Sequence, residues 1–84
     1  MVKASESTDD SIITDMTDKS LKRIGIRLQA ARRLKDLTQQ QIADKVGISR
    51  TYYVQIEHGK RDPSTTVITA AAEAVGLSVS DLLK

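Results

Sequence analysis

"TQQQIADKVGISRTYYVQIEHG", residues 38–59, decides the fold. It holds two short helical patterns divided by a glycine turn. Thr38 followed by Gln41 is a capping box: the hydroxyl can accept from the Gln41 amide while the Gln41 side chain reaches back. Ile42, Ala43 and Val46 recur at helical spacing and give a buried face. Gly47 supplies the positive φ of a left-handed turn. Ser49 caps a second helix, expected over about Ser49 to His58 and closed by Gly59. A short helix, a turn of about three residues and a second short helix make a helix-turn-helix layout. Ala43 suits a point where the two helices approach closely, and Ile42, Val46, Ile48 and Ile56 supply the small core between them.

Upstream, a first helix is expected from about Lys19 to Lys35, with Asp18 or Ser20 as N-cap. Leu21, Ile24, Leu28 and Ala31 form its apolar stripe, and Ile26 lies off it. Asp36 falls where a left-handed residue closes that helix. Downstream, "KRDP" reads as a loop. Ser64 caps a fourth helix with Ile68, Ala71, Ala72 and Val75 at i, i+3, i+4 and i+7, ended by Gly76. Ser78 or Ser80 starts a short fifth helix with Leu82 and Leu83. The pattern carries no strand signal, so the fold class is all-α with five helices.

Composition narrows the function. The 84 residues include no Cys, Phe or Trp and a single His, His58. Disulfides and thiolate metal sites are excluded, and no metal set or catalytic constellation is visible, so neither an enzyme nor a cofactor is expected. His58 is read as satisfying the end of its helix. No apolar run is long enough to span a bilayer, and the polar N-terminus lacks a signal-peptide core, so a cytoplasmic location without membrane association is the expectation. Residues 1–18 hold Lys3 against Glu6, Asp9, Asp10, Asp15 and Asp18, a net 1 − 5 = −4. Residues 19–84 hold twelve basic and six acidic side chains, a net +6. An acidic tail, with Ile12, Ile13 and Met16 as its clustered apolar residues, thus precedes a basic domain over 19–84. The basic domain points to a polyanion, most often nucleic acid, with a solvated helix face as the bland reading.

The stretch "IGIRLQAARRLKDLTQQQIADKVGISRTYYVQIEHGKRDPS", followed by "AVGLSVSDLL", resembles the phage-repressor and Cro-like (XRE) helix-turn-helix family over residues about 20–83. Leu37-Thr38-Gln39, Ala43, Gly47, Ile56-Glu57, Gly59, Pro63-Ser64 and Gly76 carry the resemblance. It implies a compact, lambda-repressor-like five-helix domain that binds double-stranded operator DNA as a homodimer. Two departures stand out: the family usually has Gly at the position of Asp36, and Ile or Val at that of Tyr53.

Residue roles follow. Arg50, Thr51, Val54 and Gln55 lie on the outer side of the recognition helix. In the major groove Arg50 can donate two bonds to guanine, Gln55 can pair with adenine, and Thr51 can meet a base or a phosphate. The resemblance places Arg50, Thr51 and Gln55 at base-contacting positions. Gln39, first in its helix, suits a phosphate and, by the resemblance, braces the first base-reading side chain. Ser49, Tyr52, Lys60 and Arg61 complete the backbone contacts. The resemblance pairs Arg32 with Glu57 as a structural ion pair between helices one and three, leaving Arg23, Arg27, Arg33 and Lys35 to solvent. Leu77, Val79, Leu82 and Leu83 are the candidate dimer surface. Adjacent helical residues point about 100° apart, so only one tyrosine can face inward. Tyr53 takes the core position with its hydroxyl at the rim, and Tyr52 turns toward DNA.

The leading expectation is a sequence-specific repressor or autoregulator at the nucleoid of a bacterial or phage system. "RTYY" resembles the opening of the same helix in controller proteins of restriction–modification systems, and a phage or plasmid repressor is an equal alternative. The competing class is an antitoxin or adaptor that acts on a protein partner, with the N-terminal tail as its contact.

Overall fold

The computed structural model describes residues 18–84. They form five helices: α1 (Asp18–Leu34), α2 (Gln39–Val46), α3 (Arg50–Glu57), α4 (Thr65–Ala74) and α5 (Val79–Leu83). No strand occurs among them. Ile12, Ile13 and Met16, with the rest of the acidic segment, lie outside the described residues. Among the described residues α1 begins at Asp18, and Ser20 lies inside its first turn, not at its cap.

Four side-chain caps set the other helix starts. Thr38 Oγ1 accepts from Gln41 N at 3.0 Å while Thr38 N donates to Gln41 Oε1 at 2.8 Å, closing the capping box. Ser49 Oγ accepts from Tyr52 N at 3.0 Å, and Ser64 Oγ from Val67 N at 3.2 Å. Ser78, not Ser80, caps α5 and exchanges bonds with Asp81. The α2–α3 turn closes on one carbonyl, with Gly47 N and Ile48 N both donating to Ala43 O, at 2.8 and 3.0 Å. Gly47 has φ 84°, and Asp36 takes the left-handed closure of α1 at φ 55°.

α1 packs on α3 and α5, α2 on α3 and α4, and α4 on α5. Ile24, Leu28, Ile42, Ala43, Tyr53, Ile56, Ile68, Ala71, Ala72, Val75 and Leu82 are the buried hydrophobic core. Tyr53 is the largest fully buried side chain and stands in for the missing Phe and Trp. Leu21 and Ala31 are half-buried at the ends of the α1 stripe, whereas Ile26 is 64% exposed, off the stripe as its register requires.

Gly25 shows how tightly α1 meets α3. A Cβ at this position would lie 2.3 Å from Glu57 O and 2.7 Å from Ile56 O. Glycine in mid-helix costs about 1 kcal/mol relative to alanine, and here that cost is offset by letting α1 reach the end of α3.

Gly25→Ala is expected to destabilise the domain by roughly 1–3 kcal/mol through overpacking against backbone that cannot yield. Gly47→Ala meets no atom within 4 Å and carries only left-handed strain, about 1–2 kcal/mol. Urea unfolding midpoints of the two variants check both values.

Candidate nucleic-acid interface

The solvent face of α3 carries the predicted reading residues. Arg50 and Thr51 are exposed, and Val54 and Gln55 are half-buried beside them. Ser49, exposed, spends its hydroxyl on the helix cap. Gln39 begins α2, so its side chain stands beside the positive end of that helix. Lys60 and Arg61 follow α3 on an exposed loop. The Arg61 guanidinium lies over the Tyr52 ring, 4.6 Å from its centroid. Tyr52 is thus packed against the core with its ring under a cation, a partnership between helix and loop that residue spacing does not reveal.

Behind this face sits a buried polar cluster. Arg32 Nε donates to Glu57 Oε2 at 2.7 Å and Arg32 Nη2 to Glu57 Oε1 at 3.2 Å. Arg32 Nη1 donates to Leu37 O at 2.8 Å, tying the α1–α2 turn to the same guanidinium. Gln39 Nε2 donates to Glu57 Oε1 at 3.1 Å, and Arg50 Nη2 to Gln39 Oε1 at 3.5 Å. Hydrogen bonds therefore run from the domain interior out to the exposed face of α3.

Burial works against the Glu57 carboxylate, but the hydrogen bonds from its neighbours, Arg32 foremost, outweigh it and hold the group below the usual carboxylate range. Arg32 is raised in turn by its bond to Glu57, against the effect of burial. Burial pushes the Tyr53 phenol far above its ordinary range, and the Glu57 carboxylate adds to this. The Tyr53 hydroxyl is itself buried and lies beside the Glu57 carboxylate, outside ideal hydrogen-bond geometry but close enough for each group to shift the other. It does not reach the rim, because the ring occupies an aliphatic core position and its tip ends beside the ion pair.

Three further expectations are corrected. Leu82 is fully buried in the core, so it cannot belong to a dimer surface. Leu77 and Val79 are half-buried, with Leu77 packed on the core, and Leu83 is 52% exposed. Arg27 is not left to solvent: its Nη1 donates to Asp81 O and Leu82 O at 3.3 Å each and to Lys84 O, closing the carbonyl end of α5. Arg23, otherwise exposed, makes a long contact of 3.5 Å to Lys84 O. His58 closes α3 through its backbone amide, which donates to Val54 O at 3.0 Å, while its side chain is exposed.

The sequence model of the helix-turn-helix family matches residues 28–82. The immunity repressor protein of Bacillus phage phi105 is 38% identical over 60 residues, covering 71% of this chain and 42% of that repressor. The uncharacterized helix-turn-helix transcriptional regulator YazB of Bacillus subtilis is 40% identical over 58 residues, covering 69% of this chain and 84% of YazB. The restriction–modification controller protein C.AhdI of Aeromonas hydrophila superposes with a TM-score of 0.71 at 31% identity, covering 76% of this chain and 97% of that one. The chain belongs to the helix-turn-helix family of DNA-binding transcriptional regulators, in its XRE-type, phage-repressor-like branch.

Arg32→Ala is expected to cost roughly 3–5 kcal/mol, because it strands a buried carboxylate and frees the Leu37 carbonyl; thermal unfolding with and without the substitution measures it. The depressed Glu57 carboxyl sets a pH dependence. The unfolded chain takes up its proton first as pH falls, so this contribution is complete above the unfolded value of about 4.3 and is lost as pH drops toward the folded value. Glu57→Gln should show a flatter fall in urea midpoint between neutral and acid pH than the parent.

Proposed function

We propose that the chain is a homodimeric regulator that seats α3 in the major groove of double-stranded operator DNA and reads an approximately palindromic site. Occupying that site makes it a repressor or autoregulator. One observation carries the reading: Arg50 on α3 and Lys60 and Arg61 on the loop after it are exposed and pair with no carboxylate among the described residues, where the ion pairs are Arg32–Glu57 and Asp81–Lys84. Three cations on and beside one short helix, none neutralised by a carboxylate among the described residues, fit a polyanion better than a solvated face.

In this arrangement Arg50 reads guanine, Gln55 reads adenine, and Thr51 and Val54 meet base edges or a thymine methyl. Gln39, Ser49, Tyr52, Lys60 and Arg61 hold the phosphates and set position and salt dependence. Arg61, stacked on Tyr52, is held along the recognition helix instead of sweeping through solvent. Homodimerisation through the α5 edge uses Leu83 with the exposed parts of Leu77 and Val79, and it spaces the half-sites about 34 Å apart. The protein would then work on the DNA of its bacterial or phage host.

Selection from random duplexes at physiological salt should enrich an inverted repeat, and Arg50→Ala should lose preference at one base position per half-site by roughly 1–3 kcal/mol. Failure to enrich any inverted repeat overturns the dimeric operator reading and directs attention to a protein partner. Equal weakening on all sequences reassigns Arg50 to the phosphates.

A further inference from the structure

The cluster behind α3 has a direction as well as a position. A carboxylate only accepts hydrogen bonds, and Glu57 is buried and already fixed by two bonds from Arg32. Gln39 can meet Glu57 Oε1 only through its amide nitrogen, at 3.1 Å. The Gln39 carbonyl oxygen is thereby turned away from the carboxylate, toward Arg50, as an acceptor. Arg50 Nη2 approaches that oxygen at 3.5 Å. One of the five guanidinium N–H groups is committed there, which leaves a pair free for the O6 and N7 of a guanine.

We propose that Glu57 is a positioning residue for base recognition: it fixes the orientation of the Gln39 amide, and that amide aims the Arg50 guanidinium. This rests on the base-reading role of Arg50 given above. It makes the ion pair more than a brace between α1 and α3. A neutral group in place of Glu57 could accept or donate, so the Gln39 amide could turn and present its nitrogen to Arg50, where two donors repel. The second hydrogen on Gln39 Nε2 stays free for a phosphate, so one side chain serves both backbone grip and base aim.

The test compares Gln39→Met and Glu57→Gln, each alone and combined with Arg50→Ala, and Arg50→Ala by itself, in two measurements. In the free protein, nitrogen relaxation of the Arg50 side chain should show an ordered guanidinium that becomes mobile in Gln39→Met and in Glu57→Gln. On operator duplexes varied one base at a time, both variants should lose preference by roughly threefold to tenfold, the size of one hydrogen bond. The loss should fall only at the position that depends on Arg50. Neither variant should lower it further once Arg50 is alanine. Gln39→Met will also weaken all sequences alike through the lost phosphate contact, which leaves base preference untouched. An Arg50 side chain equally ordered in all folded variants, or an intact preference at its position, overturns the proposal. If Glu57→Gln does not fold, the Gln39 side-chain amide of the parent protein carries the test: an ordered NH2 group agrees with its being fixed by Glu57, and a mobile one overturns the proposal. If Arg50→Ala itself removes no base preference, base reading is overturned, and the proposal with it. The relaxation data then show whether the bridge existed.

Discussion

The Arg32–Glu57 pair is the constraint on which the rest of the domain is hung. Its two parallel bonds fix the guanidinium plane, and a third bond to the Leu37 carbonyl fixes the chain between α1 and α2. One side chain therefore sets the relation of α1, the turn that starts the helix-turn-helix, and the end of α3. Gly25 lets α1 come close enough for this, since even a methyl group there would collide with the Glu57 carbonyl. The ion pair and the glycine belong to one device. The first supplies attraction with fixed geometry, and the second removes the obstacle.

Such a device matters because no helix after α1 could stand alone. α2 and α3 have eight residues each and α5 has five, well below the roughly 12–15 needed for even marginal helicity in isolation. Each is started by a Thr or Ser that accepts from the N3 amide, contributing about 1 kcal/mol. Each is then held by one to three buried apolar side chains. At the far edge, α5 ends in carbonyls with no helical partner, and Arg27 of α1 closes them. The long first helix thus secures both ends of the domain, α3 through Arg32 and α5 through Arg27.

What the sequence makes legible follows from how local each signal is. The caps at Thr38, Ser49 and Ser64, the left-handed closures at Asp36 and Gly47, and the stripe from Ile24 to Leu28 depend on neighbours within a turn or two, so spacing reveals them. Arg27 and Leu82 depend on partners far along the chain. Periodicity tells that Arg27 flanks the apolar stripe, but not that its aliphatic stem can lie along α1 while its head reaches α5. Leu82 and Leu83 are adjacent and chemically alike, and only the docking of α5 decides which one is buried. Gly25 was passed over, although an unforced glycine inside a helical pattern is a signal whose usual cause is a close backbone approach. For the interface, the outward residues of α3 were legible from register. The stacking of Arg61 on Tyr52 was not, because a loop side chain has no period.

A buried ion pair is an expensive way to join two helices. Removing both ions from water costs several kcal/mol each, and well-packed apolar residues of similar volume are often as stable or more so. This core shows the tension directly, since Tyr53 brings a further buried polar group, its hydroxyl, up to the same carboxylate. Stability alone would favour an aliphatic residue at that position and a leucine pair in place of Arg32 and Glu57. An apolar pair, however, would give Gln39 nothing to orient against. It would also leave the Leu37 carbonyl, at the entrance to the helix-turn-helix, without its donor. The polar cluster trades some stability for direction. In a domain with so little core, fixed direction at the base of the recognition helix is what an apolar replacement cannot supply.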